Sequence, residues 1–195
     1  MMLGMSLEHA ILVSLLERPA SGYELARRFD RSIGRFWTAT HQQIYRVLKR
    51  MDADAWVTGE EVGQDGLPDK KVWSVTPAGR LALADWLHAP VQPEAVRHEL
   101  AVKIRGAAFA DPAGRAALVA EVERYRADHE RTLAGYLTGE RRDFPDPDSL
   151  DDRGSLQHVV LRGGIAYERM VLDWLDDVLA TLRGLDPAPV RKAEP

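Results

Sequence analysis

Cysteine is absent from the 195 residues of the chain. Its absence excludes a disulfide framework, thiolate metal sites and a cysteine nucleophile, and it suits a reducing compartment. Long hydrophobic runs are missing too: no stretch approaches the about 18 to 20 consecutive apolar residues of a membrane-spanning helix. The opening MMLGMSLEHAILVSLLERP has no basic leader and its apolar residues fall at helical spacing. No signal peptide and no membrane partner are therefore expected, and the reading is of a cytoplasmic protein.

Enzyme signatures are lacking as well. The histidines His9, His41, His88, His98, His129 and His158 include no pair at i, i+3 or i+4 that could ligate a metal from one helix. GQDG and RGG do not fit a phosphate loop, and no G-x-S-x-G elbow occurs. No catalysis, cofactor or metal is expected.

With 45% hydrophobic and 29% charged residues, the composition suits one large globular domain or two small ones. A net charge of −4 hides an uneven distribution. Between Ser21 and Arg50 stand Arg27, Arg28, Arg31, Arg35, Arg46, Lys49 and Arg50, against only Glu24 and Asp30. A local positive field of this kind can steer a phosphate backbone to one face, although a charge run also serves as a solvated surface.

Helical periodicity begins after Ser6, a candidate cap, and stops at Pro19. Ser21 with Glu24 has capping-box spacing and opens a second short helix ending near Gly34. Thr40 with Gln43 repeats that spacing and opens a third, running to about Asp54, with Ile44, Val47, Leu48, Met51 and Ala55 on one stripe. The opposite face carries Gln42, Arg46, Lys49 and Ala53, flanked by Gln43, Tyr45 and Arg50. WVTGEEV and KKVWSVT then read as strands joined by GQDGLPD, a loop too long for a tight two-residue turn. Thr76 and Pro77 cap and start a fourth helix, PAGRLALADWLH.

Three helices followed by a hairpin are the order of a winged helix-turn-helix, whose second motif helix enters the DNA major groove. The candidate DNA-binding residues are Thr40, His41, Gln42, Gln43, Tyr45, Arg46, Lys49, Arg50, Lys70 and Lys71. Gln42, Gln43 and Arg46 can present amide or guanidinium groups to base edges, while Lys49 and Arg50 lie farther along, nearer phosphates. Free N–H groups behind the Thr40 cap favour an anion. Lys70 and Lys71 fit phosphate anchors on the wing, or protection of a strand edge.

APVQP, residues 89–93, reads as a linker, and beyond it the pattern is only helical. A short helix over EAVRHELAVKIRGAAFA precedes a long one from Asp111-Pro112 to about Gly139 and a charged, proline-rich loop. A last helix from Leu156 to Leu185 carries Val160, Tyr167, Val171, Trp174, Val178 and Leu182, flanked by Met170, Leu175 and Leu179. That stripe is wide enough to face both its own domain and a second copy, unless it is absorbed within the chain. The expected organisation is a winged helix-turn-helix over 1–88, the linker, a helical dimerisation and effector domain over 94–185, and a flexible tail over 186–195. The fold class is mainly α. Trp86, Tyr125, Tyr136, Tyr167 and Trp174 read first as ordinary core, and are also the candidates to line an apolar effector pocket.

HQQIYRVLKRMDADAWV, KKVWSVTPAGRLAL and SGYELARRFDRSIGRFW resemble the PadR-like transcriptional regulators, particularly those with a helical C-terminal domain of the virulence activator alpha type. The matching positions are Ile44-Tyr45, Leu48, Arg50, Met51-Asp52, Ala55-Trp56-Val57, Lys70-Lys71, Trp73, Val75, Thr76 and Gly79. HELAVKIRGAA and GIAYERMVLDWLDDVL look like the C-terminal helices of that family. Ala55 departs from the pattern, which usually has glycine there. Alanine makes a left-handed helix end costlier, so a slightly different turn into the first strand is expected.

The resemblance implies a homodimer, usually a repressor, responsive to a ligand or stress and paired through its C-terminal helices. The reading is of a regulator that occupies a pseudo-palindromic operator in double-stranded DNA and answers to a small apolar or aromatic effector. The alternatives are a winged-helix module for protein contacts and a small-molecule-binding protein without DNA binding.

Overall fold

Pro19 lacks an N–H to continue a helix, and α1 (Met5–Glu17) ends just before it. Arg28 gathers the carbonyls at this end, its guanidinium donating to Ser14 O (3.0 Å), which also accepts from Arg18 N, and to Arg18 O (2.5 Å) and Pro19 O (3.1 Å). The computed structural model describes residues 5–31, 39–64, 67–91 and 98–185, in two compact units, Met1–Glu94 and Ala95–Pro195. Helix α1 already includes Met5 and Ser6, so Ser6 lies inside the helix and is not the cap that was expected; its side chain, the end of α2 near Gly34, and the tail over 186–195 lie outside the described residues.

In the first unit, β1 (Ala20–Ser21) leads directly into α2 (Gly22–Arg31). The expected capping box is present: Glu24 N donates to Ser21 Oγ (3.2 Å) and Ser21 N to Glu24 Oε2 (2.8 Å). Helix α3 (His41–Ala53) has the same device, Gln43 N donating to Thr40 Oγ1 (3.2 Å) and Thr40 N to Gln43 Oε1 (2.8 Å). It buries Ile44, Val47, Leu48 and Met51 against Ile11, Leu12 and Leu15 of α1 and Leu25, Ala26 and Phe29 of α2.

The hairpin differs from expectation. Strands β2 (Val57–Gln64) and β3 (Leu67–Val75) run into the glycine- and proline-containing stretch, pairing as far as Gln64↔Leu67 with an irregularity between Val62 and Gln64. Backbone pairing carried through an irregular step needs no side-chain pattern, so composition alone made the loop look longer. The strand β1 was also not anticipated. It pairs Ala20 with Trp73 and Ser21 with Val72, giving a sheet ordered β1-β3-β2. Two residues have no periodicity to read.

The turn after α3 corrects a second expectation. Ala55 itself adopts the left-handed conformation, with φ 57°. Ala55 N donates to Asp52 O (3.1 Å) and Trp56 N to Met51 O (2.8 Å), the paired hydrogen bonds that usually recruit glycine. Alanine therefore does not change the turn. It carries the strain of it, secured by the Thr76 hydroxyl, which donates to Ala55 O at 2.6 Å. The same hydroxyl caps α4 (Pro77–His88), accepting from Gly79 N at 3.1 Å. A side chain at Gly79 would collide with the Trp56 carbonyl, so glycine is needed for this close approach. His9 is buried in α1 and stacks on Trp86 of α4, ring centres 4.6 Å apart.

The second unit contains α5 (Glu99–Gly106) and the antiparallel pair α6 (Pro112–Asp143) and α7 (Asp152–Gly184), with one 3-10 turn before α6 and another between α6 and α7. Asp111 and Asp151 each accept from the N–H three residues on, at 2.7 Å. Both long helices exceed the expected limits by about a turn: α6 continues to Asp143, two residues before Pro145, and Asp151 caps α7 inside the stretch read as loop. Leu118, Val122, Val171, Leu175, Val178, Leu179 and Leu182 form the core near the start of α6 and the end of α7. Farther along, cohesion turns polar: His129 Nδ1 lies 2.5 Å from Glu168 Oε2, and His158 Nε2 lies 2.9 Å from Glu140 Oε1. Among the described residues, no helix is long and apolar enough to cross a membrane.

Candidate nucleic-acid interface

The capped start of α3 fixes which of its side chains face outward. Positions 42, 46 and 49 follow one another at i, i+4 and i+7, opposite the buried Ile44, Val47, Leu48 and Met51. Gln42, Arg46 and Lys49 are exposed, and among the described residues none of them has a hydrogen-bond or ion-pair partner. This helix of 13 residues extends about 20 Å, and its diameter with side chains, about 10–12 Å, matches the about 12 Å width of a major groove.

The neighbouring candidates are engaged to different degrees. Gln43 commits its side-chain oxygen to the Thr40 N–H, which leaves its amide NH2 as a donor. His41 is exposed beside the cap. Tyr45 is half exposed, and its ring covers Gly22 at the start of α2 so closely that a Cβ there would collide with it. Arg50 pairs with Glu8 of α1, whose side chain is largely buried. Lys70 Nζ lies 3.1 Å from Glu24 Oε1, and Lys71 Nζ lies 3.3 Å from Asp52 Oδ2.

Glu24 is held down to a pKa of about 2, first by the Ser21 N–H bond and then by Lys70. The local excess of positive charge is thus smaller in space than along the sequence: Arg28 closes a helix end, and three other candidate cations sit beside carboxylates. Glu8, Glu24 and Asp52 were missed as partners. Only Glu24 carried a local signal, its capping spacing; Glu8 and Arg50 are 42 residues apart. Arg35 lies outside the described residues, as do the side chains of Asp30 and Arg31.

The five aromatic residues expected at an effector pocket do not share one environment. Trp86 belongs to the first unit, against His9. In the second unit, Trp174 packs on the core and meets His98 edge-on at 5.1 Å. Tyr167 is exposed, and Tyr125 sets its ring edge against His129 at 4.7 Å. Partial burial raises the Tyr125 pKa, with the nearby Tyr167 and Glu168 adding to it. Tyr136 is buried.

A pocket of about 270 Å3 lies between α5 and α6, lined by His98, Glu99, Lys103, Glu121, Arg124 and Tyr125 among others. Its walls are mostly charged, unlike the apolar pocket expected. Lys103 and Glu121 close 2.9 Å across it, an ion pair that raises the lysine pKa and lowers the glutamate pKa.

Residues 11–85 match the model of the transcriptional regulator PadR-like family, and residues 96–183 match the virulence activator alpha C-terminal model. A probable transcriptional regulator of Mycobacterium tuberculosis is 48% identical over 92% of this chain and 98% of its own. The negative transcriptional regulator PadR of Bacillus subtilis is 28% identical over 90% and 97%. Its structure in complex with operator DNA superposes with a TM-score of 0.76 at 26% identity, over 90% of this chain and 98% of that one. It has also been solved with p-coumaric acid, at 25% identity and a TM-score of 0.69, over 94% and 98%. The Vibrio cholerae virulence activator AphA gives a TM-score of 0.77 at 30% identity, over 93% of this chain and all of its own. The winged helix-turn-helix head, the helical second unit and these relatives together establish that the chain belongs to the PadR-like family of transcriptional regulators, with a C-terminal domain of the virulence activator alpha type.

Proposed function

We propose that the chain is a homodimeric repressor that occupies a pseudo-palindromic operator, each subunit laying α3 in a major groove. The observation that carries this reading is the outer face of α3: Gln42, Arg46 and Lys49 are exposed and unpaired among the described residues, on a helix whose other face is packed into the core. Buried cations would already have partners; unpaired ones on a docked helix are ready for bases and phosphates. The organisation intended is the DNA-binding head over 1–88, a linker over 89–93 and a dimerisation and effector domain over 94–185.

The head contacts are Arg46 and Gln42 to base edges and Lys49 to a phosphate, with the α3 start at Thr40 and His41 beside the backbone. The Tyr45 hydroxyl and the free amide of Gln43 add donors at the rim. Lys70 reaches phosphate by exchanging its carboxylate partner, which is cheap because that pair is partly solvated, whereas the half-exposed Arg50 keeps the largely buried Glu8 and offers its remaining N–H donors.

Support for the dimer comes from α7. Leu156, Val159, Val160, Tyr167 and Met170 are exposed on its first half, a continuation of the apolar stripe that its own unit does not cover. A second copy covering them would keep two heads at a fixed separation, matching half-sites about one helical turn, ~34 Å, apart. A small aromatic effector acting on the second unit, where Tyr125 and Tyr167 are accessible, would alter that separation. Such a regulator works in the cytoplasm, where the DNA is.

Selection of genomic DNA by the purified chain, followed by titration of the enriched duplex at increasing salt, tests the reading. A palindromic motif, two protomers per duplex and a steep loss of affinity with salt are expected. Arg46→Ala should cost about 1–3 kcal/mol and relax the base preference at one position of each half-site. No enriched motif, or binding indifferent to salt, would sink it.

A further inference from the structure

Lys71 of the hairpin has contacts of three kinds: the backbone at Gly59, the ring of Trp73 and the carboxylate of Asp52. It stands two residues before Trp73 on β3, so both side chains emerge on the same face, and Trp73 pairs directly across from Gly59 of β2. The lysine stem crosses the space that a side chain at Gly59 would fill, with Cγ and Cδ 2.9 Å from the place of a Cβ. Its ammonium sits 4.2 Å from the centre of the buried Trp73 ring and 3.3 Å from Asp52 Oδ2 on α3. A notch, an aromatic face and a carboxylate from another element thus converge on one cation. Asp52 lies in the last turn of α3, where the helix dipole disfavours an acid, so its local position does not account for it and its contact with the hairpin does.

From this we infer that Lys71 and Asp52 are positioning residues of the nucleic-acid interface: they fix the angle between the β2–β3 wing and α3, and Lys71 makes no phosphate contact. The inference rests on the DNA-binding reading above. It separates Lys71 from Lys70, whose partner Glu24 lies on α2 and which has no aromatic contact among the described residues. A lysine bonded only to solvent and phosphate would gain from loss of its acid; a lysine that holds a wing in place would lose by it.

Fluorescence anisotropy of the labelled duplex enriched by genomic selection, repeated over a series of potassium chloride concentrations, reads the difference. Lys71→Met keeps an unbranched stem across Gly59 and removes the charge, Asp52→Asn removes the partner, and Asp52→Glu restores it. The first two variants should each weaken binding about threefold to tenfold, with the double variant no worse than either. Both should leave the slope of log affinity against log salt unchanged, while Lys49→Met, the reference for an unpaired cation, lowers it by about 0.9 per lost phosphate contact. Asp52→Glu should recover affinity, which separates positioning from general damage, and circular dichroism confirms that each variant is folded.

A slope reduced by Lys71→Met, tighter binding by Asp52→Asn, or unchanged affinity in both variants would overturn the inference while leaving DNA binding intact. Absence of salt-dependent binding in the unaltered chain would overturn the DNA reading and this inference with it.

Discussion

Replacing Ala55 by glycine should stabilise the protein, against the usual effect of glycine beside a helix. Ala55 holds φ 57°, a region that costs a residue with a Cβ about 1–2 kcal/mol. The three hydrogen bonds that fix the turn, Ala55 N to Asp52 O, Trp56 N to Met51 O and Thr76 Oγ1 to Ala55 O, make no use of the Ala55 side chain, so glycine retains them. The methyl group is exposed and contributes little packing. Against the relief stands the extra freedom of glycine in the unfolded chain, about 0.4–1 kcal/mol. The net gain is about 0.5–1 kcal/mol, which for a unit of this size corresponds to a rise in Tm of about 2–6 °C.

Urea unfolding of the full chain, followed by tryptophan fluorescence and circular dichroism, measures it. Ala53→Gly, at the exposed last residue of α3, is the control: glycine relieves no strain there and should destabilise by up to about 1 kcal/mol. Ala55→Asn should fall between alanine and glycine, since asparagine tolerates the left-handed region. If Ala55→Gly lowers the midpoint as Ala53→Gly does, no strain is stored in this turn and the reasoning is wrong.

Other perturbations probe other joints. Gly79→Ala drives a methyl into the Trp56 carbonyl and should destabilise by about 1–3 kcal/mol, measured by the same urea titration. The low Glu24 pKa means that the folded state resists protonating this group: its contribution is full above about pH 4.5 and is lost as the pH falls toward about 2. Thermal melts of Glu24→Gln against the unaltered chain should therefore show a deficit near neutral pH that closes across that window; a deficit independent of pH would refute the assignment. His129→Ala leaves the buried Glu168 without this partner and should cost about 1–3 kcal/mol, with the loss in the α6–α7 pair visible by hydrogen exchange.

Much of the head was legible because its signals are local. Thr40 and Gln43, Ser21 and Glu24, and Thr76 with Pro77 announce helix starts within four residues, and the stripe of Ile44, Val47, Leu48 and Met51 fixes which face of α3 turns inward. The outward set of Gln42, Arg46 and Lys49 follows from that stripe by geometry. In the second unit the same periodicity found the long helices but missed their ends, since the Asp151 cap lies in a stretch whose prolines and acids read as loop.

Local pattern could not decide who meets whom across the fold. That Glu8 takes Arg50, Glu24 takes Lys70 and Asp52 takes Lys71 depends on elements packing side by side, and so does the division of the basic cluster into paired and unpaired cations. The exposure of Val160, Tyr167 and Met170, against burial of Val171, Leu175 and Leu179 on the same helix, is likewise set by where α6 lies. Sequence determined the helices, their caps and the reading face, because each rests on contacts within a few residues. Tertiary structure decided the turn at Ala55, the two-residue strand β1 and the charges left unpaired, because each depends on atoms brought together from distant parts of the chain.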